Sequence, residues 1–180
     1  MKQLKCIINL IIIFSIFIKI AESVPVQKWY NEDDFAPFYI ETELKYNWYE
    51  AWNECSAKNM TLGAVDTLEK NTALIKILKT QFDDKHINIW IGGNDLGNNG
   101  FFIWYSTGKR FEFTNWSKGN PDHYTELEHC VHYFDRTDFE WNDANCMQKM
   151  GFICEENRFL KEMRKNLAVK KNFIDQLFLL

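Results

Sequence analysis

Four cysteines, Cys55, Cys130, Cys146 and Cys154, set the tightest limit on what this chain can fold into. They follow an amino-terminal segment that reads as an export signal. Lys2 and Lys5 precede a mostly apolar run from Cys6 to Ile20, broken by Asn9, Ser15 and Lys19, and Ala21-Glu22-Ser23 supplies the small residues of a cleavage site. Basic, apolar and small-residue regions in that order form a secretory signal, here residues 1–23. The unbroken apolar stretch is shorter than the ~20 residues of a membrane helix, so an uncleaved anchor is set aside and no membrane span is expected elsewhere. The expected destination is extracellular, where disulfides persist. Cys6 leaves with the signal, and an even count of four reads as two disulfides with three pairings open. The spacings of 75, 16 and 8 residues contain no C-x-x-C pair, which argues against a zinc site built from these thiols. Two glycosylation sequons, at Asn59 and Asn115, fit the same compartment.

Charge excludes one broad class of function. Residues 1–23 hold Lys2, Lys5, Lys19 and Glu22, so removing them reduces 21 basic and 25 acidic residues to 18 and 24, a net charge of −6. No basic footprint for nucleic acid remains, whereas the acidity suits a hard cation. Aromatic residues make up 16% of the chain, and they bury large areas each. Trp90, Trp104, Trp116 and Trp141 are read as core.

The pattern along the chain is α+β. Residues 24–36 form a short leader. Phe38–Leu44 is rich in strand formers. Asn47 is placed to cap a helix to about Asn59, with Trp48, Trp52 and Cys55 on one face, and Thr67 to cap a second to about Phe82, with Leu74, Ile77, Leu78 and Phe82 as its buried stripe. From Ile87 short apolar runs alternate with Gly and Asn clusters. Strands are predicted at Ile89–Ile91, Phe101–Tyr105, Phe111–Phe113, Cys130–Phe134, Phe139–Trp141 and Gly151–Glu155. Helices followed by strands indicate an α+β domain. The tail, residues 157–180, carries Phe159, Met163, Leu167, Ile174, Leu177 and Phe178 at roughly helical spacing. It reads as a frayed extension, or as a helix that packs on the domain, self-associates or lies at a lipid interface.

Trp116–Cys130 has little helix or strand character, and a loop of this length usually serves a function. It holds Asn120, Asp122, Glu126 and Glu128, and Asn142-Asp143 follows soon after at Trp141. Asn120, Asp122, Glu128, Asn142 and Asp143 together offer two amides and three carboxylates, with the cysteines engaged elsewhere. That is a calcium donor set. A cis bond at Pro121 would turn Asn120 and Asp122 to one side of the loop.

Several motifs stand in a telling order: the first helix with Cys55, Trp90-Ile91-Gly92-Gly93, Asn115-Trp116, Asn120-Pro121-Asp122, Glu128 before Cys130, Trp141-Asn142-Asp143, Cys146 and Cys154. In this order residues 37–156 resemble a C-type lectin carbohydrate-recognition domain of the short, four-cysteine form, and in particular the small secreted lectins of insects. The resemblance implies two helices, small antiparallel sheets and a long calcium-binding loop, with disulfides Cys55–Cys154 and Cys130–Cys146. It implies that Asn120, Asp122, Glu128, Asn142 and Asp143 ligate a calcium ion that holds two vicinal sugar hydroxyls, and that Asn120, Asp122, Glu128 and Asn142 bond the same hydroxyls. The amide-Pro-acid order resembles galactose-type sites, although Asn120 stands where those carry Gln, and Tyr124 stands where they often place an aromatic ring against the sugar. Gly93 departs from the family's usual Trp-Ile-Gly-Leu. An auxiliary calcium site looks degraded: Asp95 and Glu128 match two of its ligands, but Asn99, His123 and His129 stand where acids would be expected.

The expected function is secreted, calcium-dependent glycan binding of galactose type, with recognition of protein or lipid surfaces without sugar as the alternative. The expected partners are galactose-containing glycans of cells, microbes or secreted glycoproteins, with self-association as a further option. Catalysis is not expected. His123, His129 and His132 lie close together, but His129 and His132 are three apart and on one strand would face opposite sides. No nucleophile elbow, phosphate loop or dinucleotide fingerprint accompanies them. The three histidines are therefore read as solvated or partly buried.

Overall fold

A computed structural model describes residues 28–32, 35–82 and 86–177. The expected signal and Phe178 of the tail lie outside the described residues. In chain order the elements are β1 (Trp29–Tyr30), β2 (Phe38–Tyr46), α1 (Trp48–Ala57), β3 (Met60–Leu62), α2 (Leu68–Phe82), β4 (Ile89–Asn94), β5 (Ile103–Trp104), a 3-10 turn (Tyr124–Glu126), β6 (Glu128–Phe134), β7 (Glu140–Asn145), β8 (Met150–Glu156) and α3 (Arg158–Leu177).

Both domain helices start where local chemistry says they should. The Asn47 side chain accepts the Glu50 N–H at 2.9 Å, and the Glu50 carboxylate accepts the Asn47 N–H at 2.8 Å, a reciprocal capping box. Thr67 Oγ1 accepts the Lys70 N–H at 3.2 Å ahead of α2. The predicted stripe of α2, Leu74, Ile77, Leu78 and Phe82, is buried. It packs with Ile89, Ile91, Val131, Tyr133 and Ile153 in the larger core. A second core gathers Trp48, Trp90 and Phe152 around all four cysteines.

The strands join in one connected sheet of order β1-β2-β8-β4-β6-β7, with β3 added to β8 and β5 to β4. Pairing is antiparallel except between β4 and β8, which run parallel. The disulfides are Cys55–Cys154, which ties α1 to β8, and Cys130–Cys146, which ties β6 to the end of β7.

The strand boundaries differ from expectation in instructive places. β1 lies inside the stretch read as a leader, with Trp29 opposite Tyr39 and Tyr30 opposite Phe38. β3 was not predicted, because three residues are too few to display a two-residue period. Phe111–Phe113 is not a strand. Arg110 makes one bridge to Ile103, and Phe111 instead stacks on Trp104 with ring centroids 4.1 Å apart. That placement accounts for Gly93. A Cβ there would lie 2.5 Å from the Phe111 ring and 2.9 Å from a Val131 methyl, so Phe111 fills the space that a larger side chain at position 93 would need. The tail forms α3, with Phe159, Met163, Leu167 and Ile174 exposed, and Arg164 pairs with Glu156 at 2.8 Å. Among the described residues no helix is long and apolar enough to cross a membrane.

Candidate functional site

The site is built on an aromatic base. Trp141 is fully buried, with the rings of Trp104, Phe111, Phe113 and Trp116 at 5.6 to 5.9 Å around it. Backbone bonds fix the start of the long loop to the same residue. Ser117 N–H donates to the Trp141 carbonyl at 2.9 Å, and Trp141 N–H donates to the Asn115 carbonyl at 2.7 Å. The loop therefore leaves alongside β7, and its tip folds back over Asp143, two residues beyond Trp141.

Asp143 is completely buried. Its two oxygens accept the backbone N–H groups of Asp122 at 3.1 Å and His123 at 2.9 Å. The Asp122 carboxylate in turn accepts the Tyr124 N–H at 3.2 Å. These bonds hold a turn in which His123, Thr125 and Glu126 all have positive φ, near 50°, a conformation that non-glycine residues adopt at some cost. The Asn120-Pro121 bond is cis.

Three of the five predicted ligand residues converge. Carboxylate oxygens of Asp122, Glu128 and Asp143 lie within 4.8 Å of one another, a grouping that could hold a metal ion. Glu128 shows the electrostatic consequence. Burial, and then the neighbouring charges of Asp143 and Asp122, push its carboxyl from 4.5 up to about 7. A cation placed among the three would relieve that repulsion, and hard carboxylate oxygens are the donors that calcium takes.

The two amides are engaged elsewhere. Asn120 Nδ2 donates to Ser117 Oγ at 2.7 Å, which leaves its Oδ1 as the atom offered to a ligand. Asn142 sits opposite His132 in the β6–β7 register and Asp143 opposite Val131. Strand alternation therefore turns Asn142 toward His132, whose Nε2 its Nδ2 meets at 3.3 Å. His132 itself is a core residue rather than a solvated one. It is 2% exposed, burial pushes it down to about 4, and its Nδ1–H donates to the Tyr133 carbonyl at 2.9 Å. Tyr124 is 68% exposed beside Asp122. Trp90, Trp104 and Trp141 are buried, and Trp116 packs partly buried against the core that holds Trp104 and Trp141.

A second grouping joins residues that the resemblance places at a degraded auxiliary calcium site. Asp95, at the end of β4, meets His123 and His129, with ligating atoms again within 4.8 Å of one another. The pairing of β4 with β6, which sets Asn94 opposite Cys130, brings Asp95 to His129, and the bond from the His123 N–H to Asp143 brings the loop's His123 beside them.

The profile of the lectin C-type domain matches residues 44–156. The chain belongs to the C-type lectin family. Among similar proteins, lectin subunit alpha of Sarcophaga peregrina is 41% identical over 143 residues, covering 76% of this chain and 50% of that protein. The chain thus spans half the length of that relative. C-type lectin 37Db of Drosophila melanogaster is 31% identical over 76% of this chain and 88% of its own length. Among solved structures, the human scavenger receptor C-type lectin carbohydrate-recognition domain superposes with a TM-score of 0.62 at 26% identity, covering 76% of this chain and all of that domain. The two disulfides match the short form of this lectin domain.

Proposed function

We propose that this lectin is secreted and binds glycans through calcium, with a preference for galactose-type sugars. The observation that carries the reading is the convergence of Asp122, Glu128 and Asp143 under an exposed loop tip. These three would hold the ion, with the Asn120 amide oxygen as a fourth donor; Asn142, turned toward His132, would have to leave that contact to join them. Once bound, calcium supplies positions that two vicinal sugar hydroxyls can occupy. The chain's own residues orient the sugar. Asn120 and Asp122 flank Pro121 in amide-then-acid order, which fixes the side that donates and the side that accepts. The exposed Tyr124 ring offers an apolar face. No step of bond making is involved, so the protein binds rather than transforms its ligand.

The test is competition by monosaccharides against an immobilised galactosylated ligand in calcium. Galactose and N-acetylgalactosamine are expected to inhibit better than mannose. Tyr124→Ala is expected to weaken galactose about fivefold and mannose little, since a stacked ring contributes ~1 kcal/mol. Asn120→Glu with Asp122→Asn retains one carboxylate but reverses donor and acceptor order, and should move preference toward mannose. Equal inhibition by mannose of the unmodified protein would contradict the galactose assignment, and binding to protein or lipid surfaces insensitive to all sugars would favour the alternative class.

Acid should oppose calcium. Glu128 keeps its proton up to about pH 7 in the ion-free protein, so calcium must displace it, and affinity should rise as pH rises through that value. The raised pKa also sets the sign of stability. Between about 4.5 and about 7 the native state binds more protons than the unfolded chain, so ion-free stability should fall as pH rises through that window. Calorimetric calcium titration at about pH 6 and about pH 8 checks both the affinity change and the proton release.

The sequons should differ in use. Asn59 is exposed, whereas Asn115 Nδ2, the atom that would carry a glycan, is buried. A single glycan is expected, lost with Asn59→Gln and unaffected by Asn115→Gln, as read by the mobility shift on enzymatic deglycosylation.

A further inference from the structure

We propose that Asp95, His123 and His129 form a zinc site, separate from the carboxylate trio and independent of the sugar-binding reading. Asp95 is completely buried at the end of β4, and its orientation is fixed. Its Oδ2 accepts the Gly100 N–H at 2.6 Å, and its own N–H donates to the His129 carbonyl at 3.1 Å. His129 Nδ1 lies 2.9 Å from Asp95 Oδ1, and His123 Nδ1 lies 3.7 Å from Asp95 Oδ2. The His129 and His123 side chains are one-quarter exposed, at 26% and 25%, so solvent reaches both.

The separations decide between a simple ion pair and a metal site. A shared proton accounts for His129 against Asp95 at 2.9 Å. His123 lies beside the same carboxylate at 3.7 Å, beyond hydrogen-bond reach, and its Nδ1 is instead within bonding distance of the Glu128 carbonyl at 3.3 Å, a contact that a metal ion would replace. Zinc bonds of ~2.0–2.1 Å in tetrahedral array set ligand atoms ~3.3 Å apart; the two nitrogens lie 2.9 and 3.7 Å from different oxygens of Asp95, and one ligating atom of each residue lies within 4.8 Å of the others, a spacing that small ring and carboxylate rotations close. His123 Nδ1 also faces Asp143 Oδ2 at 3.4 Å and the Glu128 carbonyl at 3.3 Å. Asp143 remains committed to the backbone of Asp122 and His123 and adds negative charge beside the site. The His123 ring is held in place by stacking on Phe102, with centroids 5.8 Å apart and planes 14° apart. The Gly100 N–H on Asp95 is the kind of outer bond that orients a ligating carboxylate.

The donor set selects the metal. Two imidazole nitrogens and one carboxylate suit zinc. They are too few oxygens for calcium, which takes six to eight.

The test uses the full secreted chain, without a polyhistidine tag, stripped of metal and freed of chelator. Zinc titrated by calorimetry should bind at one equivalent per chain and raise the melting temperature, and millimolar calcium should not displace it. His123→Gln with His129→Gln should lower zinc affinity at least ~100-fold while leaving the calcium-induced rise in melting temperature in place. Cobalt added to the native chain should give the visible absorption of a low-coordinate, nitrogen-ligated ion, a readout that stands even where the double variant fails to fold. Absence of zinc uptake, an oxygen-only six-coordinate cobalt spectrum, or zinc that calcium displaces and the histidine variant retains would each overturn the proposal; the last would place zinc in the carboxylate trio.

Discussion

Asp143→Asn is expected to lower calcium-dependent glycan binding at least ~100-fold while the protein still folds and is secreted. Substitutions around metal ligands typically cost 10–100-fold, and Asp143 is proposed as a ligand itself. It also accepts the N–H groups of Asp122 and His123, so its loss loosens the turn that presents Asp122. Asn retains one acceptor and nearly the same volume. Asp143→Ala should abolish binding equally but also release two part-buried N–H groups from a charged acceptor, at no more than about 1.5–3 kcal/mol each. Comparing the two variants by glycan binding and thermal melting separates loss of the ion from loss of the loop. Retained calcium-dependent binding in Asp143→Asn would show that the ligand assignment is wrong.

The paired substitution Cys55→Ser and Cys154→Ser should have the reverse effect, damaging the fold first. The bond joins residues 99 apart, and chain entropy alone assigns ~4.7 kcal/mol to a loop of about that length. Both sulfurs lie in a fully buried cluster with Trp48, Trp90 and Phe152, so two serine hydroxyls would be stranded there as well. A loss of ~2–5 kcal/mol is expected from chemical denaturation, with poor secretion as its cellular counterpart. Cys130–Cys146 closes only 16 residues, for which the same reasoning gives ~3 kcal/mol. Its removal should act more on the site, because it joins the two strands that carry Glu128 and Asp143. A paired Cys55 and Cys154 variant as stable as the native protein would contradict this account of the core.

What could be read in the sequence was what local chemistry encodes. The capping box at Asn47 and Glu50 sits within four residues. The stripe of α2 repeats at helical spacing, and the motif order around Asn120-Pro121-Asp122 and Trp141-Asn142-Asp143 carried the lectin fold. What escaped depends on distant pairing. β3 is visible only against β8. Gly93 makes sense only once Phe111 is seen to occupy its flank. Asn142 faces His132 because of the β6–β7 register. The three histidines looked like a set because of their closeness in sequence. The sheet divides them, sending His132 into the core and joining the other two to Asp95.

The central claim is calcium-dependent glycan recognition by the loop over Asp143, and a glycan array probed with the purified chain, once in calcium and once in chelator, tests it most directly. The account predicts retention on galactose-terminated glycans in calcium and its loss in chelator. Binding that chelator leaves unchanged, or no glycan binding in calcium by a folded, disulfide-bonded chain, would contradict it.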